Sequence, residues 1–148
     1  DEDTGLLAAE TKLAQNAKKI ALMVLGTAAQ KYMMGLADQQ EVLVNCADII
    51  MDAYQMETAI LRAKKYAEKN GEESAGRYID IAGVYCNDAI QRVEAAAKNT
   101  IAAIAEGDEG RTLLVALKRF TKNNSPINTI AARQRIADVM IEANAYSF

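Results

Sequence analysis

The stretch Gln39-Gln40-Glu41-Val42-Leu43-Val44-Asn45-Cys46-Ala47-Asp48-Ile49-Ile50-Met51-Asp52-Ala53-Tyr54-Gln55-Met56-Glu57-Thr58-Ala59-Ile60-Leu61-Arg62-Ala63-Lys64-Lys65-Tyr66-Ala67-Glu68-Lys69 decides the fold class. Within it Val42, Cys46, Ile49, Ala53, Met56, Ile60, Ala63 and Ala67 recur at alternating steps of four and three. Those steps return to one side of an α-helix, and their persistence makes a heptad seam against a neighbouring helix. A second stripe, Leu43, Ala47, Ile50, Tyr54 and Leu61, widens the apolar face. A face that broad predicts neighbours on two sides and a central place for this helix. Asp38 precedes the run, and Glu41 follows it three residues later. That is a capping-box arrangement, so the helix should span about 39–69. Lys69-Asn70-Gly71 ends it, with Gly71 suited to the left-handed position after a helix.

The same reasoning extends outward. Upstream, Leu6, Leu13, Ala17, Ile20, Val24 and Ala28 form one stripe of a helix over 6–36, weakened near its end by Gly35. Downstream, Tyr78, Ala82, Tyr85, Ala89, Val93, Ala96 and Thr100 predict a third helix over 75–105. Cys86, Ile90, Ala97, Ile101 and Ile104 lie beside that stripe, and Gly107 closes the helix. A short helix over 109–122 presents Leu113, Leu114, Leu117 and Phe120. Asn123-Asn124-Ser125-Pro126 follows, with Ser125 as N-cap and Pro126 as first residue of a last helix over 126–144. That helix is expected to pack through Ile130, Gln134, Ala137, Met140 and Ile141. Strong β-formers never cluster. The expected fold is all-α and four-helix-bundle-like: three long antiparallel helices, up and down, plus two shorter C-terminal helices as a broken fourth leg.

The 148 residues suit a single domain, 1–148, without linker, low-complexity tract or internal repeat. The net charge of -3 argues against non-specific nucleic-acid binding. The charge is uneven. Residues 1–10 carry four acids and no base, residues 70–108 seven acids against three bases, and residues 109–135 one acid against six bases. Those bases are Arg111, Lys118, Arg119, Lys122, Arg133 and Arg135. Either they pack a helix pair against an acidic neighbour, or they make a docking face for an acidic surface or phosphates. For the basic stretch from Arg111 to Lys122, internal docking is the preferred reading over a membrane surface. Cys46 and Cys86 sit at apolar helical positions and form no CxxC, so both are expected to be core thiols. No apolar run is read as approaching 18 residues, so no membrane span is expected. The start lacks a signal-peptide charge pattern and an initiator methionine, so the chain is expected to be cut from a longer polypeptide. The expected location is cytoplasmic.

Reactive chemistry finds little material. The chain has no histidine. That removes His-based acid–base catalysis, the Ser-His and Cys-His nucleophiles, and the Glu-x-x-His pairs of a di-iron bundle. Asp48, Asp52 and Glu57 could form a carboxylate-only metal site, but they flank the seam and are expected to face water or meet basic side chains of another helix. Gly107-Asp108-Glu109-Gly110-Arg111 lacks the P-loop lysine and reads as a helix–helix turn. Tyr78 and Tyr85, seven apart, read as core residues with their hydroxyls at its edge. No residue is therefore assigned as catalytic, cofactor-binding or metal-ligating, and no cofactor is expected in this segment.

Two segments carry a family resemblance. One is Ala37-Asp38-Gln39-Gln40-Glu41 through Ala47-Asp48-Ile49-Ile50-Met51-Asp52-Ala53-Tyr54-Gln55-Met56-Glu57 to Leu61-Arg62-Ala63. The other is Leu117-Lys118-Arg119-Phe120-Thr121-Lys122, on through Pro126-Ile127-Asn128-Thr129 and Arg133-Gln134-Arg135-Ile136-Ala137, to Tyr146-Ser147-Phe148. Together they resemble the extra C-terminal helical domain of long, very-long-chain-type acyl-CoA dehydrogenases. The resemblance implies a parent enzyme that oxidises an acyl-CoA to its 2-enoyl product in fatty acid β-oxidation. Its electrons pass to FAD and on to an electron-transfer flavoprotein. It also implies that the flavin-binding residues and catalytic glutamate lie upstream, outside this chain. The bundle would be non-catalytic and would pack on the FAD-dependent dehydrogenase core of the same polypeptide, in a homodimer. Mitochondrial members place a basic membrane-binding segment in this domain. Glu72, Glu73, Asp80, Asp88 and Glu94 depart from that pattern, so membrane association is not expected.

The alternative is a free-standing helical adaptor whose groove accepts a partner helix or a membrane surface. The two readings differ in one structural respect. A docking module leaves an apolar face bare, larger than a monomer usually tolerates.

Overall fold

The computed structural model describes residues 5–146. The acidic residues 1–4 and the terminal residues 147–148 of the resemblance lie outside that range. Five α-helices follow one another: α1 Ala8–Tyr32, α2 Gln40–Asn70, α3 Gly76–Ile104, α4 Gly107–Thr121 and α5 Thr129–Ala143. A six-residue 3-10 turn, Met33–Asp38, joins α1 to α2. No strand occurs among the described residues.

Cross-helix contacts set the directions. Thr11 meets Lys64 and Lys18 meets Glu57, so α1 and α2 run antiparallel. Tyr66 stacks on Tyr78 while Asp52 meets Arg92, so α2 and α3 run antiparallel too. Lys31 and Tyr32 both donate to the Ala103 carbonyl, which aligns α1 parallel with α3. Asn16 donates to the Phe120 carbonyl, tying α4 to α1. This is the up-and-down bundle that short connections demand.

The seam on α2 is borne out residue by residue. Val42, Cys46, Ile49, Ala53, Met56, Ile60, Ala63 and Ala67 are its buried positions. On α1, Leu13, Ala17, Ile20, Val24 and Ala28 are buried as expected, and Ala14 and Ala21 join them. Leu6 packs at the margin of the core. Both cysteines are buried free thiols. Tyr78 is a core residue, whereas Tyr85 is partly buried and turns its hydroxyl to the edge.

Several expectations fail for local reasons. The central helix is α3, not α2: α3 packs against α1, α2, α4 and α5, whereas α2 has only α1, α3 and the 3-10 turn as neighbours. The first helix gives way to the 3-10 turn at Met33, which adopts φ 49. Asp38 belongs to that turn, so it cannot cap α2; the N-cap is Gln39, and no side chain caps it. Gly107 does not close α3. Ala105, extended, ends α3, and Gly107 at φ 57 opens α4, letting the chain reverse within two residues.

The last helix starts three residues later than Pro126 suggests. Asn128 is its N-cap, with the Asn128 side chain accepting from the Ala131 amide at 3.0 Å. Its packing face is also the opposite one. Ala132 is buried and Ile136 and Val139 are half-buried, whereas Ile130, Gln134, Ala137, Met140 and Ile141 are exposed. Residues 122–128 account for the later start. Ile127 lies over Gly83 on α3, where an added Cβ would come within 2.8 Å of Ile127 Cδ1. Seating the connection there delays the start of α5, which then turns Ala132 inward.

Ala8–Asp38 corrects the reading of apolar runs. It includes an 18-residue window with mean hydropathy 1.3, long and apolar enough by composition to cross a membrane. Only 22% of that window is buried. One side of it lines the core, and much of the rest joins a bare apolar face.

Candidate docking surface

The widened stripe on α2 is where the chain's own packing stops. The structure leaves Ala47, Ile50, Met51, Tyr54 and Leu61 exposed, and only Leu43 is half-buried. The Lys18–Glu57 and Thr11–Lys64 contacts keep a constant register between α1 and α2. That register brings Leu22 of α1, itself exposed, level with the middle of the stripe. Met33 and Met34 are exposed at one end of α1. The result is a two-helix apolar face. Its central charges, Lys18 and Glu57, neutralise each other across a 2.5 Å contact.

The other edge of α2 is polar and self-satisfied. Arg92 grips Asp52 with two hydrogen bonds, of 3.1 and 2.6 Å. The Tyr85 hydroxyl lies 2.8 Å from both Asp52 Oδ1 and Gln55 Oε1. It has one proton to donate between them. Burial, then the neighbouring Asp52 carboxylate, pushes the Tyr85 hydroxyl up to about 12. Asp48 is exposed on the same helix, and Glu57 is taken by Lys18. The three carboxylates are therefore dispersed, and no cluster of three metal-binding side chains occurs among the described residues.

The bases divide in the same way. Arg135 holds Asp80 bidentately at 2.8 and 2.6 Å, and Arg133 meets Asp88 at 2.5 Å, so these two dock α5 on the acidic side of α3. Arg111 pairs with Asp108 within α4. Lys118 and Arg119 are exposed on α4, and Lys122 is exposed just past its end. The expectation of internal docking thus holds for Arg133 and Arg135, which lie outside the stretch from Arg111 to Lys122.

A cleft of about 170 Å³ lies between the N-terminal end of α1, α3 and the start of α5, lined by Glu10, Asp80, Gly83, Ile127 and Arg135 among others. Ligand pockets run from about 300 Å³ upward, so a flavin dinucleotide does not fit there. Periodicity located the seam and the stripe. It carried no signal for the Tyr85–Asp52–Arg92 network, because partners 33 and 40 residues apart meet only through helix register.

The comparisons with known proteins agree in extent and kind. Residues 16–119 match the family described as acyl-CoA dehydrogenase, C-terminal domain. A protein of Bacillus subtilis (strain 168) named "Probable acyl-CoA dehydrogenase" is 38% identical over 144 residues, which is 97% of this chain and 24% of that protein. The crystal structure of an acyl-CoA dehydrogenase complexed with FAD from Bacillus anthracis superposes with a TM-score of 0.95 at 38% identity. It covers 100% of this chain and 25% of its own. The chain therefore spans about a quarter of the length of each relative. With residues 16–119 matching the family model, four of its five helices included, the chain belongs to the acyl-CoA dehydrogenase C-terminal domain family.

Proposed function

We propose that this domain is the non-catalytic C-terminal bundle of a longer FAD-dependent acyl-CoA dehydrogenase, and that it packs on the dehydrogenase core of its own polypeptide. The parent reaction is α,β-dehydrogenation of an acyl-CoA. Two hydrogens leave the acyl chain, and the flavin, when bound in the upstream domains, accepts them. This chain's residues contribute a rigid body and an apolar seat. The observation that carries the reading is the 0.95 TM-score at 38% identity over the whole chain, against a quarter of an FAD-complexed enzyme. A homodimeric parent and a cytoplasmic location belong to the same reading.

The test is spectroscopic. The full polypeptide should be yellow, with flavin absorbance that bleaches on adding acyl-CoA, and the bundle expressed alone should be colourless. A full polypeptide without acyl-CoA-dependent bleaching, or a bundle that retains flavin alone, overturns the proposal.

A further inference from the structure

Among the described residues, most exposed large apolar side chains gather on two faces that are not equivalent. One combines α2 with α1 and is represented by Tyr54, Leu61 and Leu22. The other is the outer side of α5, represented by Ile130 and Ile141. Building on the functional reading above, we infer that the α1–α2 face is the seat of the upstream dehydrogenase part of the same polypeptide, and that the α5 face stays open.

Three observations favour that occupant on that face. About three quarters of each relative's length lies outside the region matched by this chain, so a body large enough to cover two helices is present in them. The family match, residues 16–119, contains the whole α1–α2 face and ends before α5 begins. The two faces differ in size as well. Interface cores are depleted of charge. The Lys18–Glu57 pair cancels the charge at the centre of the α1–α2 face, where Leu22, Val44, Ile50, Met51, Tyr54 and Leu61 are exposed, against Ile130, Met140 and Ile141 on α5.

Thiol footprinting of the full polypeptide tests the assignment. Tyr54→Cys, Leu61→Cys, Ile130→Cys and Ile141→Cys are made singly and labelled with a maleimide, and each site is read by peptide mass mapping. In the bundle the four positions have similar exposures of 68, 59, 71 and 74%, so rate differences report coverage. Cys46 and Cys86 are buried at 3% and 0% exposure and give little background. Positions 54 and 61 should label slower than 130 and 141 by on the order of tenfold, since reaction there requires local opening. Slow labelling at 130 and 141 with fast labelling at 54 and 61 overturns the face assignment and leaves the functional reading intact. Fast labelling at all four positions overturns both. Protection at 54 and 61 that appears only with anionic phospholipid vesicles assigns the face to a membrane and overturns the inference. Tyr54→Arg in the full polypeptide provides a second readout: faster proteolytic cutting between the bundle and the upstream part is expected, and an unchanged cutting rate counts against the seat.

Discussion

Helices α2 and α5 are both apolar on two sides, and the chain treats them differently. On α2 the more regular stripe faces α1 and α3, and the broader, less regular one is bare. On α5 the stripe with Ile130, Met140 and Ile141 is bare, and Ala132 with half-buried Ile136 and Val139 faces α3. Periodicity finds apolar faces. Which of them a chain covers depends on what else the helix must satisfy. On α5 the choice is made by Arg133 and Arg135, which reach Asp88 and Asp80 only if Ala132 points inward. A helix apolar on both sides is suited to lie between two bodies.

The contrast is sharpest in the response to truncation. Met56 is fully buried in the α2 seam. Met56→Ala should cost about 2–5 kcal/mol by urea unfolding of the bundle, as removing a core side chain leaves a cavity. Ile141→Ser, on the exposed side of α5, should stay within about 0.5 kcal/mol of the parent. A loss of similar size at Ile141 would mean that the bundle buries that side itself.

Alkaline unfolding probes the polar edge of α2. The folded state holds the Tyr85 proton more tightly than the usual 10.0, up to about 12. A raised folded value contributes stability that is whole below the unfolded value and is lost as pH rises through the folded one. Stability from this group should therefore be intact below pH 10 and decline towards pH 12, and Tyr85→Phe should flatten that part of the profile. An identical profile in the variant would mean that the Tyr85 hydroxyl contributes nothing to the alkaline limb.

A smaller effect separates the two candidate caps of α5. Asn128→Ala should cost about 1 kcal/mol in thermal or urea unfolding, because the Ala131 amide loses its acceptor. Ser125→Ala should be close to neutral, within about 0.5 kcal/mol. The reverse order would place the helix start back at Pro126.

The smallest change is expected at Gly83. Replacing a helical glycine by alanine is worth about 1 kcal/mol in helix propensity. The new Cβ meets Ile127 Cδ1, the far end of a flexible side chain, at 2.8 Å. Gly83→Ala should therefore be near neutral. Gly83→Val should lower the melting temperature clearly, and adding Ile127→Ala should recover part of the loss.

The amino-acid order alone determined the helical class, the long helices, the α2 seam and the burial of both cysteines, because each depends on a local repeat of apolar side chains. It also determined that catalysis through histidine is closed to this chain. Only the tertiary structure decided that α3 is the hub, that α5 turns Ile130 and Ile141 outward, and that Asp52, Tyr85 and Arg92 meet. Those outcomes depend on register and crossing between helices far apart in the chain. A repeat within one helix fixes which residues share a face, but it carries no information about which neighbour, if any, that face will find.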